Sequence, residues 1–94
     1  MTEIKHEKNG SKGSFDIYYD GKKAGSMTYT GADQDTMIID HTEVSEEFGG
    51  KGLAKQLVFA GAKFARENGK KVIPLCTYAK ATFEKNADIQ DVLA

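Results

Sequence analysis

The residue pattern predicts an α/β (α+β) domain: an antiparallel meander of strands, then one β-α-β unit and a closing helix. Three observations carry this. Short runs rich in aromatic and β-branched residues are separated by Asn9-Gly10 and Asp20-Gly21, dipeptides that supply the positive φ of tight hairpins. Leu53, Leu57, Ala60 and Phe64 recur at helical spacing, flanked by Ala54, Val58 and Ala65, and make one apolar stripe. A further apolar run, Lys71 to Cys76, follows the helix-stop signal Asn68-Gly69, so a strand returns after the helix.

Residues 1–8 read as an edge strand, with Ile4 and His6 on one face if extended. Residues 9–13 form a turn, and Phe15 to Tyr19 alternates as a strand should. Asp20 to Lys23 is a second turn. Ala24 to Tyr29 is the next strand, Gly31 to Asp35 a loop, and Thr36 to Val44 the fourth strand, the one expected to be most buried. The helix continues to Asn68, and Gly61 within it costs about 1 kcal/mol against alanine, which points to close packing there. Strands four and five, joined through that helix, are expected to run parallel. Pro74 removes one ladder donor from the fifth strand. Thr77 to Asn86 is expected to be a second helix capped by Thr77, with Asp88 to Ala94 ending as a short helix or strand.

The composition narrows the function. A chain of 94 residues is expected to form one domain with a single layer of sheet and helix packed on it. A net charge of −1, without a long block of like charge, argues against a nucleic-acid partner. No apolar run is long enough for a membrane span, and no export signal is visible at the N-terminus. One cysteine makes no internal disulfide, so a reducing, cytoplasmic setting is expected. Two scattered histidines and one cysteine give no metal-ligand spacing.

The chemistry is concentrated in Ser45-Glu46-Glu47-Phe48-Gly49-Gly50-Lys51-Gly52-Leu53-Ala54, where a strand hands over to a helix. Three glycines in four residues bare the backbone N–H groups, and the helix start points its positive dipole end at the same place. Such a terminus attracts phosphate, so a phosphate-bearing cofactor is expected. Lys51 and Lys55 either reach the phosphates or solvate the helix face. The segment fits neither a phosphate-loop nor a dinucleotide fingerprint, because Leu53-Ala54-Lys55 follows Gly52.

The segment Gly49-Gly50-Lys51-Gly52-Leu53-Ala54 resembles the Arg/Gln-x-x-Gly-x-Gly/Ala signature of the GNAT-type N-acetyltransferases, with Gly52 and Ala54 in place and Gly49 where that signature has Arg or Gln. Cys76-Thr77-Tyr78-Ala79-Lys80-Ala81-Thr82-Phe83-Glu84-Lys85 resembles the family's closing helix. It keeps Ala79, Glu84 and Lys85, but has Phe83 in place of the tyrosine that donates a proton in many relatives. The whole chain resembles a branch of very short members with a Pro-Leu-Cys-x-Tyr-Ala run, here Pro74 to Ala79.

The resemblance implies a GNAT-like mixed sheet and acetyl-CoA (coenzyme A) as cofactor. It implies contacts from Val44, Gly49, Gly50, Lys51, Gly52, Leu53, Ala54 and Lys55, with Tyr78 and Phe83 from the closing helix. Larger relatives insert helices between the first two strands as a wall of the acceptor site. Here that connection is a turn of about five residues. An exposed protein or peptide amine is therefore the expected acceptor, and a monomer or weak dimer the expected assembly.

The candidate catalytic residues are Cys76, His41, Glu43 and Tyr78. Cys76 is either a small packed hydrophobe or a thiol in acyl transfer, and the second role needs a nearby base or helix terminus to ionise it. A neutral imidazole suits His41 to proton removal, with Glu43 as the alternative base. If strand four is regular, His41 and Glu43 share one face and Asp40 and Thr42 the other. Tyr78 either replaces the missing proton donor or covers the cofactor. Three functions remain open: an acetyl-CoA-dependent N-acetyltransferase, a catalytically weak acetyl-CoA-binding module or sensor, and Cys76-dependent acyl transfer.

Overall fold

A computed structural model describes residues 2–94. Strands β1 (Thr2–Asn9), β2 (Lys12–Tyr19), β3 (Lys22–Asp33), β4 (Thr36–Val44) and β5 (Lys71–Pro74) form one sheet in that order. Neighbours are antiparallel except β4 and β5, which run parallel from Thr36 beside Lys71 to Ile39 beside Pro74. Helix α1 (Leu53–Glu67) joins those two, and α2 (Thr77–Lys85) follows β5. The mixed sheet and its two helices match the expected fold class.

One face of the sheet is covered. Phe15, Ile17, Met27, Met37, Ile39 and Val72 pack in one cluster with Leu57, Val58, Ala62 and Ala65 of α1. Ala79 and Phe83 of α2 complete it, together with Ile89 and Val92 of a final 3-10 turn, Ala87–Val92. Full burial of each large aliphatic side chain contributes about 1.5–3 kcal/mol. Gly61 permits the close approach of α1, since a Cβ there would lie 2.6 Å from Met27 Cε.

Several boundaries differ from expectation, each for a physical reason. The first hairpin turn is only Gly10-Ser11, with Gly10 at φ 67°, because Asn9 and Lys12 still pair. At the second, Asp20 (φ 49°) and Gly21 (φ 85°) both take positive φ, the backbone of a type I′ turn. Strand β3 runs on to Asp33, leaving only Gln34 and Asp35 as the turn, since Gly31 and Asp33 still pair with β4. Strand β5 stops at Pro74 rather than Cys76, and Cys76 instead of Thr77 is the N-cap of α2, with no side-chain cap bond. The buried stripe of α1 is Leu53, Leu57, Val58, Gly61, Ala62 and Ala65, while Ala60 and Phe64 lie at its margin. The C-terminal residues form both structures rather than one: the 3-10 turn, then a bridge from Leu93 to Val72. A 3-10 turn, Glu46–Phe48, also stands between β4 and the glycines, held by the buried Phe48 ring 5.7 Å from that of Tyr19.

One irregularity in β4 decides which side chains share a face. Thr28 pairs with His41 but Tyr29 pairs with Ile39, so Asp40 is the extra residue of a bulge. The Thr30 hydroxyl, on the uncovered side, donates to Asp40 Oδ2 at 2.8 Å. Asp40 therefore joins His41 and Glu43 on that side instead of Thr42, contrary to a regular strand. Among the described residues no helix is long and apolar enough to cross a membrane.

Candidate functional site

The glycine junction leaves a row of donors free. Ser45 N–H closes the sheet on Ala24 O at 2.8 Å, and Gly49 N–H is committed to Glu46 O at 3.0 Å within the 3-10 turn. Beyond it, Gly50 (φ 77°) and Gly52 (φ 73°) are left-handed, and Gly52 is the N-cap of α1 with no side chain to cap it. The first bond of the helix runs from Gln56 N–H to Gly52 O at 3.2 Å. Among the described residues, none of the N–H groups of Gly50, Lys51, Gly52, Leu53, Ala54 and Lys55 donates to a protein acceptor. Left-handed turns gather successive N–H groups into a concave nest, and the dipole of α1 adds positive potential. A Cβ at Gly50 or Gly52 would meet nothing within 4 Å, so both glycines border open space. Such a surface fits a pyrophosphate.

The side chains around the nest are arranged unequally. Leu53 is 2% exposed and is a core residue, so only its main chain faces outward. Lys51 Nζ lies 5.0 Å over the Tyr19 ring and Lys55 Nζ 5.5 Å over Phe59, contacts that hold each ammonium beside an aromatic face. Lys55 also lines a groove of about 310 Å³ with Tyr78, Ala81, Thr82, Lys85 and Asn86, between α1 and α2. Lys85 is a second cation of that groove, and only the packing of the two helices brings it there.

Next to the nest the sheet opens. The ladder between β4 and β5 ends at Ile39 and Pro74, where Leu75 N–H (3.1 Å) and Cys76 N–H (3.3 Å) both donate to Ile39 O. Beyond this fork the strands part. Because Ser45 N–H turns to β3, strand alternation directs the peptide groups of Val44 into the gap. Cys76 stands at the fork on the covered side. Burial pushes its thiol up, but the N–H of Ala79, the hydroxyl and N–H of Thr42 and the N–H of Tyr78 outweigh it, holding the thiol below its ordinary pKa. Among the described residues Thr42 Oγ1 is buried without a hydrogen-bond partner, and its effect on Cys76 is that of a donor toward an ionised thiol.

The remaining candidates divide between the two sides. His41 Nε2 and Glu43 Oε2 are 3.6 Å apart, 65% and 68% exposed, on the uncovered side of the sheet. The bulge separates them from Cys76, whose pKa owes nothing to either. Tyr78 is 41% exposed at the mouth of the α1–α2 groove. Phe83 is 0% exposed, so its ring packs α2 onto the core and presents no face to a ligand. Sequence reasoning passed over Thr42 and Asp40. A regular strand would have placed them together, and no local pattern announces a bulge.

A family model for GCN5-related N-acetyl-transferases matches residues 14–92. None of the curated proteins matches the chain. Among solved structures, a GCN5-like protein from Staphylococcus aureus, studied by solution NMR, is 36% identical with a TM-score of 0.72, the match covering 96% of this chain and 87% of that one. The ribosomal-protein-alanine N-acetyltransferase of Brucella melitensis biovar Abortus is 20% identical with a TM-score of 0.69, over 83% of this chain and 64% of that one. A GNAT family acetyltransferase from Elizabethkingia anophelis, solved with acetyl-CoA bound, is 16% identical with a TM-score of 0.68, over 78% and 63%. At those identities the last two are alike in fold.

Proposed function

The chain belongs to the GCN5-related N-acetyltransferase family, and from that premise we propose that it binds acetyl-CoA and transfers the acetyl group to an amine of an exposed, protein or peptide acceptor. The reading rests on one observation above the rest: the N–H groups of residues 50–55, without protein acceptors, at the positive end of α1 and beside the parted strands. These N–H groups hold the pyrophosphate, with Lys51, Lys55 and Lys85 at the flanks. The Val44 peptide groups, aimed into the gap, orient the pantetheine arm. Acetyl-CoA supplies an activated acetyl thioester.

At the fork, Thr42 and the first N–H groups of α2 stabilise negative charge. His41, backed by Glu43, removes the proton of an amine arriving on the uncovered side, directly or through water. Tyr78 covers the groove, and its phenol takes the place of the proton-donating tyrosine that Phe83 replaces in this chain. Residues 1–94 then form one minimal domain of the very short branch carrying Pro74-Leu75-Cys76-Thr77-Tyr78-Ala79. Titration with acetyl-CoA, followed by backbone amide NMR, tests this. Shifts are expected at Val44, at residues 50–55 and at residues 76–78. Silence of those amides at millimolar acetyl-CoA overturns the reading.

A further inference from the structure

We propose that the uncovered side of the sheet at β4 and β5 is a docking surface for a cationic peptide whose free amine lies beside an apolar residue. The proposal rests on the transferase reading for its purpose but on separate residues for its evidence. On the covered side of the fork Cys76 packs against the core and Thr42 Oγ1 is buried, so the other side offers the more open approach to the gap. Ile38 and Ile73 are register partners there, and Leu75 lies just past the end of β5. Ile73 is 37% and Leu75 66% exposed, which makes an apolar strip leading to the point where the strands part.

Charge selects the occupant. Toward β1 two carboxylates of this side have lysine partners, Glu3 with Lys5 at 4.0 Å and Asp16 with Lys23 at 3.5 Å. At β4 the balance changes. Among the described residues, Asp40 has only the Thr30 hydroxyl and Glu43 only His41. The bulge brings both carboxylates to the side where the apolar strip lies, and so places uncompensated negative charge beside it. An ammonium with a neighbouring apolar side chain matches both parts, whereas an acidic peptide is repelled.

The test uses the full chain with three short peptides: one beginning with a free-amine alanine followed by leucine, its N-acetylated twin, and a twin with glutamates flanking the leucine. The free-amine peptide should shift the amides of residues 38–43 and 73–75, with the acetylated and acidic twins binding about fivefold more weakly or worse. Asp40→Lys should weaken the free-amine peptide by a similar factor, and Leu75→Ser should weaken it and the acetylated twin alike. Equal binding of all three peptides, shifts elsewhere, or affinity unmoved by Asp40→Lys overturns the surface. So does concentration-dependent dimerisation that occupies the same residues. Acetyl-CoA titrated separately and read at residues 50–55 keeps the two proposals apart. Peptide binding without acetyl-CoA binding leaves the surface and removes the cofactor, and the converse removes the surface alone.

Discussion

Cys76 is surrounded by hydrogen-bond donors that favour its thiolate over the opposing effect of burial. Its alkylation by iodoacetamide should therefore reach half-maximal rate at lower pH than a free cysteine thiol. Thr42→Val removes one donor, so the midpoint should move to higher pH with the fold intact; an unmoved midpoint means the hydroxyl is uninvolved. Glycines separate just as clearly by what surrounds them. A Cβ at Gly25 would stand 2.5 Å from the Glu43 carbonyl oxygen, backbone that cannot yield, so Gly25→Ala should cost about 2–3 kcal/mol in urea unfolding. At Gly61 the obstacle is the end of the flexible Met27 side chain, and alanine adds about 1 kcal/mol of helix propensity. Gly61→Ala should stay within about 1 kcal/mol of the parent in the same experiment. The close packing at position 61 was legible as a poor helix former inside an apolar stripe. At Gly25 it was not, because the obstacle belongs to β4.

At the scale of elements, the start of α1 joins local chemistry to ligand capture. Gly50 and Gly52 need positive φ, while the space around both is open. Gly52→Val should therefore cost about 1–2 kcal/mol in stability through backbone strain alone. Its larger effect should be on acetyl-CoA affinity, about tenfold or more by calorimetry, because the N–H groups of residues 52–55 lose their common direction. A loss of stability with affinity intact contradicts the proposed cradle. The strand-to-helix junction was readable from three glycines before an amphipathic run. The 3-10 turn ahead of it was not, since Phe48 holds that turn by burying against Tyr19, a residue of β2.

The whole molecule closes its core with its last residues. Ile89 and Val92 are each 3% exposed, and Arg66 on α1 makes two bonds to Asp91, at 2.7 and 2.8 Å. Ile89→Ala should cost about 2–4 kcal/mol by urea unfolding, a large share of the roughly 5–14 kcal/mol typical for a chain of this length. At the other edge, His6 stacks on Phe15 with ring centroids 4.2 Å apart and shares a hydrogen bond with the Tyr29 hydroxyl. Burial, and secondarily Lys8, hold its pKa below 6.5, so the folded state favours the neutral ring. The stability this confers is complete above pH 6.5 and lost as pH falls through the lower folded value. The melting temperature should fall across that window, and His6→Gln should flatten the dependence; an equal slope in the variant assigns the effect to other groups.

Taken alone, the sequence determined the order of strands and helices, the tight hairpins, the parallel return through α1 and the bare glycine junction. Each depends on neighbours a few residues apart: turn dipeptides, the 3.6-residue stripe, glycines at a helix start. Only the tertiary structure decided where β4 and β5 part, that Asp40 stands with His41 while Thr42 stands with Cys76, and that Phe83 is enclosed. Those outcomes follow from interstrand register and from packing between distant segments. A single extra residue in β4 reverses which side each later side chain takes, and nothing in the local pattern records it.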